Sequence, residues 1–166
     1  MSKKADKTEK TNALRMLDRL KLSYSLAEYD VDEDDLSGAH AAEVSGLDPD
    51  MMYKTLVAKG DRTGFVVACI PVLAELELKE LARVSGNKSV EMLHVKDLFE
   101  ITGYIRGGCS PIGMKKAFPT FIDTGALKLE KVAVSAGRRG LQMILAPEDL
   151  IKAAGAKTAE LIRTHG

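Results

Sequence analysis

At 166 residues and 18.0 kDa, with 45% hydrophobic and 29% charged residues, the chain is sized and composed for one globular domain around one substantial core. Its 24 Lys and Arg balance its 24 Asp and Glu, which argues against a protein that coats nucleic acid indiscriminately. No apolar run approaches the roughly 20 residues of a membrane span, Cys69 and Cys109 do not make a disulfide framework, and MSKKADKTEKTN lacks the apolar stretch of a secretory signal; the expected address is cytoplasmic.

In chain order, residues 1–10 read as a flexible polar tail and 11–166 as a single domain. Leu14, Leu17 and Leu20 predict an amphipathic helix over Thr8–Leu22. Tyr24–Asp30 alternates as a strand does, with Ser25, Ala27 and Tyr29 on one side. An acidic loop follows at Asp30–Asp35, and Ser37 is placed to cap a short helix through Val44 that Gly46 ends. Met51–Lys59 and the apolar run Phe65–Ile70 flank a turn at Gly60–Gly64, predicting an antiparallel hairpin. On its first strand Lys54 shares a face with Met52, Leu56 and Ala58, so it either snorkels to an edge or sits in a pocket with a job.

Further on, Leu73–Val84 reads as a helix closed near Gly86, Lys88–Leu93 as a short apolar segment and Val95–Thr102 as a helix. Thr120–Asp123, Lys131–Ser135 and Leu141–Leu145 read as strands, the last two joined by a turn carrying Arg138 and Arg139. Pro147 suits the first position of a closing helix to Ala154, and Thr158–Ile162 adds a last short helix.

Between the Val95–Thr102 helix and the later strands lies GYIRGGCSPIGMKK, residues 103–116. Glycines at 103, 107, 108 and 113 surround a Ser110-Pro111 turn, with Arg106, Lys115 and Lys116 around them. Glycine lets the backbone take positive φ and lets a ligand approach bare N–H groups, so such a loop suits an oxyanion. A tight turn with solvated cations accounts for the same composition. Charge is unevenly spread as well: Glu28 to Asp50 carries no Lys or Arg, whereas Arg106 to Arg139 is basic, a distribution that can attract an anionic ligand.

Other chemistry is poorly supported. His40, His94 and His165 are scattered, with no metal-ligand spacing. There is no Gly-x-Ser-x-Gly elbow and no Walker spacing. Cys109 is the one tempting nucleophile, and a small apolar filler beneath the loop is its competing reading. A pocket lysine, a glycine loop and an arginine turn remain: a set able to bind and polarise an anionic or ester-bearing substrate, without an evident protein nucleophile.

Lys54-Thr55-Leu56, GYIRGGCSPIGMKK at 103–116 and VSAGRRG at 134–140 together resemble the signatures of the YbaK/EbsC family of aminoacyl-tRNA deacylases, in the same order from about Thr11 to Ile162. The resemblance is closest to the YbaK branch and implies an α/β (α+β) domain whose mixed, largely antiparallel sheet curls into a partial barrel with helices around it. It implies a deacylase that removes cysteine from proline tRNA in trans, beside prolyl-tRNA synthetase, without metal or cofactor. Lys54, Gly107 and Gly108 then fall in the catalytic set, with Lys54 holding the carbonyl or terminal phosphate end of the aminoacyl-adenosine and the glycines supplying oxyanion-type N–H groups. Tyr29, Thr55, Ser110, Ser135 and Arg139 become substrate contacts. Two departures bear on side-chain specificity: Leu36-Ser37-Gly38 lacks an aromatic that some members carry there, and Gln142 stands where some carry a carboxylate.

In that branch the substrate's own thiol attacks the ester, which fits the missing nucleophile. Water-driven deacylation of Ala-tRNA(Pro), a non-catalytic module gripping a tRNA end or nucleotide phosphate, and a recruitment domain using the acidic 28–50 surface remain open from the residues alone.

Overall fold

The computed structural model describes residues 10–163. Helix α1 (Asn12–Arg19) starts at Thr11, whose hydroxyl accepts the Leu14 N–H at 3.2 Å, and buries Ala13, Leu14 and Leu17. It is shorter than expected at both ends, because the cap fixes its start and Lys21 turns to positive φ just beyond its end. Residues 1–9, most of the expected tail and the first positions of the expected helix, lie outside the described residues. Strand β1 (Ser25–Glu28) and the acidic loop lead to α2 (Gly38–Ser45). Ser37 caps that helix by accepting the His40 N–H at 3.1 Å, and Gly46 closes it at φ 75°.

A 3-10 turn at Pro49–Met51 feeds the hairpin β2 (Tyr53–Gly60) and β3 (Gly64–Pro71), in register from Tyr53 opposite Pro71 to Gly60 opposite Gly64. Next come α3 (Leu78–Ser85), β4 (Val90–Met92) and α4 (Val95–Thr102). After the glycine loop follow β5 (Thr120–Asp123), a 3-10 segment (Thr124–Lys128), β6 (Val132–Ser135) and β7 (Leu141–Leu145). Helix α5 (Pro147–Ala154) and β8 (Lys157–Ala159) end the ordered set.

Two expectations change here for one shared reason. Residues 73–77 do not join α3, and Thr158–Ile162 is not a helix. The two segments engage each other instead: Glu77 N–H donates to Leu161 O at 2.7 Å, Arg163 N–H to Glu75 O at 3.1 Å, and Leu76 bridges Ile162. A helix in either place would withdraw those backbone groups.

The strands form two sheets, β1-β7-β6 and β4-β2-β3-β5-β8, mixed and largely antiparallel, with β3-β5 and β5-β8 parallel. They meet at a bridge from Met52 to Ala133 and are not closed into a barrel. Leu141, Met143 and Leu145 of β7 join Val132 and Val134 of β6 in a core with Leu14, Leu17 and Leu150. Alternation turns Gln142 and Ser135 to the opposite face. A second core packs Ala58, Val66, Ala68 and Ile70 against Leu81 and Leu161.

The hairpin turn is held from outside. Asn87, buried after α3, accepts the N–H groups of Arg62 and Thr63 at 2.8 and 3.0 Å and donates to Thr63 Oγ1 and Ser85 Oγ. Asn87→Ala leaves the turn without those partners and is expected to cost roughly 1–3 kcal/mol, read as a lower denaturant midpoint at unchanged slope.

Candidate active site

The site begins with an interruption in strand pairing. On its outer edge β2 is covered by β4 only at Ala58–Gly60 and approaches β6 at Met52. Val57 points its C=O outward, accepting Leu93 N–H at 3.0 Å. Antiparallel pairing alternates, so Thr55, two residues earlier, also turns its N–H and C=O away from β3. Among the described residues, no strand pairs that edge between the two neighbours. Into this gap opens a cleft of about 590 Å³.

Lys54 and Thr55 of β2, Tyr29 after β1, Ser135 of β6, Gln142 of β7 and Arg106, Gly107 and Cys109 of the glycine loop all line it. Of the residues considered from sequence, the cleft brings together Tyr29, Lys54, Thr55, Gly107 and Ser135. Lys54 is half-buried, and burial lowers its ammonium below the ordinary lysine value while the Glu75 carboxylate opposes that shift. The Ser135 hydroxyl accepts the Gly137 N–H at 3.2 Å, which keeps its own hydrogen available to donate. Thr55 Oγ1 lies 3.8 Å from the buried Cys69 sulfur.

Three anticipated residues sit elsewhere. Gly108 already donates its N–H to Ile105 O at 2.9 Å, so that amide closes a turn and is not presented to the cleft. A Cβ on Gly108 would fall 2.8 Å from Arg139 N and 2.9 Å from the Arg138 Cα, so what its glycine identity provides is close packing of loop on turn. Ser110 is fully buried, and its hydroxyl accepts the Ile112 N–H at 3.3 Å inside the loop. Arg139 lines a small adjoining hollow with Tyr29, Leu36, His40 and Gly107. Its Nε–H donates to Arg106 O at 2.8 Å, tying the arginine turn to the glycine loop.

The loop is further braced by Tyr104, whose hydroxyl donates to Ile112 O at 2.7 Å, and by Lys115 N–H on Thr102 O at 3.0 Å. Beneath it Cys109 packs with Val57, Val67 and Tyr104, and burial pushes its thiol up to about 12. At neutral pH this is a protonated thiol, unsuited to attack. Among the described residues, no group of three or more His, Cys, Asp or Glu could hold a metal ion, and no helix is long and apolar enough to cross a membrane.

Gln142 is the site residue that sequence reasoning left without a role. It is buried on the cleft side of β7, and among the described residues its Oε1 has no hydrogen-bond partner. Its position after the arginine turn and the period-two pattern of Leu141–Leu145 were the signals that could have placed it.

Comparison with known proteins places the chain in a family. The model of the aminoacyl-tRNA editing domain matches residues 35–153. A protein of Enterococcus faecalis (strain ATCC 700802 / V583) named "Putative Cys-tRNA(Pro)/Cys-tRNA(Cys) deacylase EbsC" is 51% identical over 153 residues, covering 92% of this chain and 93% of its own. Among solved structures, hypothetical protein APE2540 superposes with a TM-score of 0.82 at 22% identity, covering 92% of this chain and 100% of its own. A structure titled "Crystal structure of a putative trans-editing enzyme for prolyl tRNA synthetase" gives a TM-score of 0.78 at 21% identity, covering 95% of this chain and 100% of its own. The last two carry the fold, and the first two carry the lineage: the chain belongs to the aminoacyl-tRNA editing domain family.

Proposed function

We propose that the cleft deacylates mischarged aminoacyl-tRNA, with cysteine esterified to proline tRNA as the substrate and the cysteine thiol as the attacking group. One observation carries the reading: cationic Lys54 and the outward amide of Thr55 converge with Gly107 in a cleft whose own thiol is held protonated. Hydrogen-bond donors at an ester without an activated protein nucleophile fit a reaction in which orientation and oxyanion stabilisation supply the acceleration.

The substrate sulfur forms a bond to its ester carbonyl carbon, and the electron pair moves to the carbonyl oxygen, facing Lys54 and the backbone donors. Collapse breaks the bond to the ribose 3′-oxygen, which takes up the proton released by the thiol. Free tRNA and a cyclic thiolactone leave. Tyr29 and Ser135 bound the aminoacyl group, and Arg139, with Arg106, offers positive charge to the nucleotide end. Gly108 and Ser110 hold the loop in shape. The reaction belongs in the cytoplasm beside prolyl-tRNA synthetase, whose mischarged product it would consume.

Purified protein tested on Cys-tRNA(Pro), Ala-tRNA(Pro) and a serine-charged tRNA decides the matter. Preference for cysteine with thiolactone formation agrees. Equal turnover of alanine replaces the thiol by water, and salt-sensitive binding without turnover leaves only a tRNA-end binding module. Cys109→Ala is expected to retain near-normal deacylation, and complete loss in a folded variant would return the nucleophile to the protein.

A further inference from the structure

We infer that Gln142 receives the α-ammonium group of the aminoacyl substrate and makes the cleft selective for a free amine. The inference rests on the aminoacyl-ester reading of the cleft and extends it to a residue that reading does not use. Gln142 is held on both sides in the middle of its sheet, opposite Ala27 of β1 and Ser135 of β6. Only 6% of it is exposed, it lines the cleft, and Oε1 has no donor.

A buried acceptor without a partner is costly, and in a native fold it calls for an explanation. A half-turn about the terminal torsion presents either end of the amide without moving the backbone. As placed, Oε1 is shielded from the cleft; turned over, it faces the cleft, where a donor would supply its hydrogen bond. An aminoacyl ester carries one cationic donor, the ammonium on its Cα, and charged donors make the stronger hydrogen bonds. Lys54 repels that ammonium and is matched to the carbonyl oxygen instead. These two groups diverge from the same Cα, as Lys54 on β2 and Gln142 on β7 stand in different sheets.

The test measures calorimetric binding of two stable adenosine amides, 3′-cysteinylamino-3′-deoxyadenosine and its 3-mercaptopropionyl counterpart without the amine. Thiol and ribose hydroxyl are common to both, so the affinity ratio isolates the ammonium. The protein is expected to favour the amine by about 10-fold or more. Gln142→Met should bring the ratio close to one, and Gln142→Glu should keep or raise it. No preference in the unsubstituted protein overturns the inference. So does an unchanged ratio in Gln142→Met, or a reduced one in Gln142→Glu. Should the Met variant not fold, the Glu variant decides. Binding with amine preference but no ester cleavage would sink the deacylase reading alone, whereas cleavage with an unchanged ratio in Gln142→Met would sink this inference alone.

Discussion

Lys54→Ala is expected to lower kcat/KM for deacylation by about 10²–10³-fold, the loss that follows removal of a preorganised oxyanion donor. Its position on β2 brings the ammonium to the cleft beside the outward amide of Thr55, and burial strips it of part of its water, which strengthens its attraction for a developing negative oxygen. The same burial fixes a pH signature. A lysine whose folded pKa is lowered loses its proton earlier as pH rises, so the catalysed rate should fall along an alkaline limb centred below 10.5 after subtraction of the uncatalysed reaction. Lys54→Ala should lack that limb.

Stability should move the other way. The folded state disfavours the charged form, so below the folded pKa the ammonium is a destabilising element that is relieved as pH rises. Lys54→Ala should therefore hold or raise the unfolding midpoint at neutral pH, separating lost chemistry from lost fold. A variant that keeps most of its rate would remove Lys54 from the centre of the reaction.

Local signals carried much of this architecture. Ser37 and Gly46 bracket α2, Pro147 opens α5, Gly103 closes α4, and the glycine pair at 60 and 64 turns the hairpin. What escaped the sequence depends on partners far along the chain. Ala159, Glu160 and Leu161 suit a helix by propensity, yet β8 pairs with β5 and Leu161 then takes the Glu77 N–H. Such tertiary competition overrides a weak local preference.

The candidate site shows the same division. Glycines 107 and 108 look equivalent in sequence, but a single turn uses the Gly108 amide and leaves Gly107 at the cleft. The opening beside Thr55 depends on where β4 stops and β6 begins, a fact of sheet assembly that no stretch of β2 encodes. Gln142 was visible as a residue type. Its lack of a partner became visible only when its neighbours were in place.

Gly108→Ala should be the most damaging change that touches no substrate, lowering kcat/KM by about 10²-fold through displacement of the loop. An added methyl would meet the Arg139 nitrogen and the Arg138 backbone at 2.8–2.9 Å, and backbone cannot rotate aside as a side chain would. The glycine loop and the arginine turn must then part, which moves Gly107 and stretches the bond from Arg139 Nε–H to Arg106 O. Overpacking of this kind also costs about 1–3 kcal/mol of stability. Gly155→Ala provides the comparison: there φ is +61° and nothing lies within 4 Å of the new methyl, so it strains the end of α5 without crowding the cleft. It should lower stability by about 1 kcal/mol and leave kcat/KM unchanged. If both alanines lose stability and neither loses rate, the contact between loop and turn does not set the catalytic geometry. If Gly108→Ala alone loses rate, at a temperature where both variants are folded, packing of that loop on the turn is what aims Gly107 at the ester.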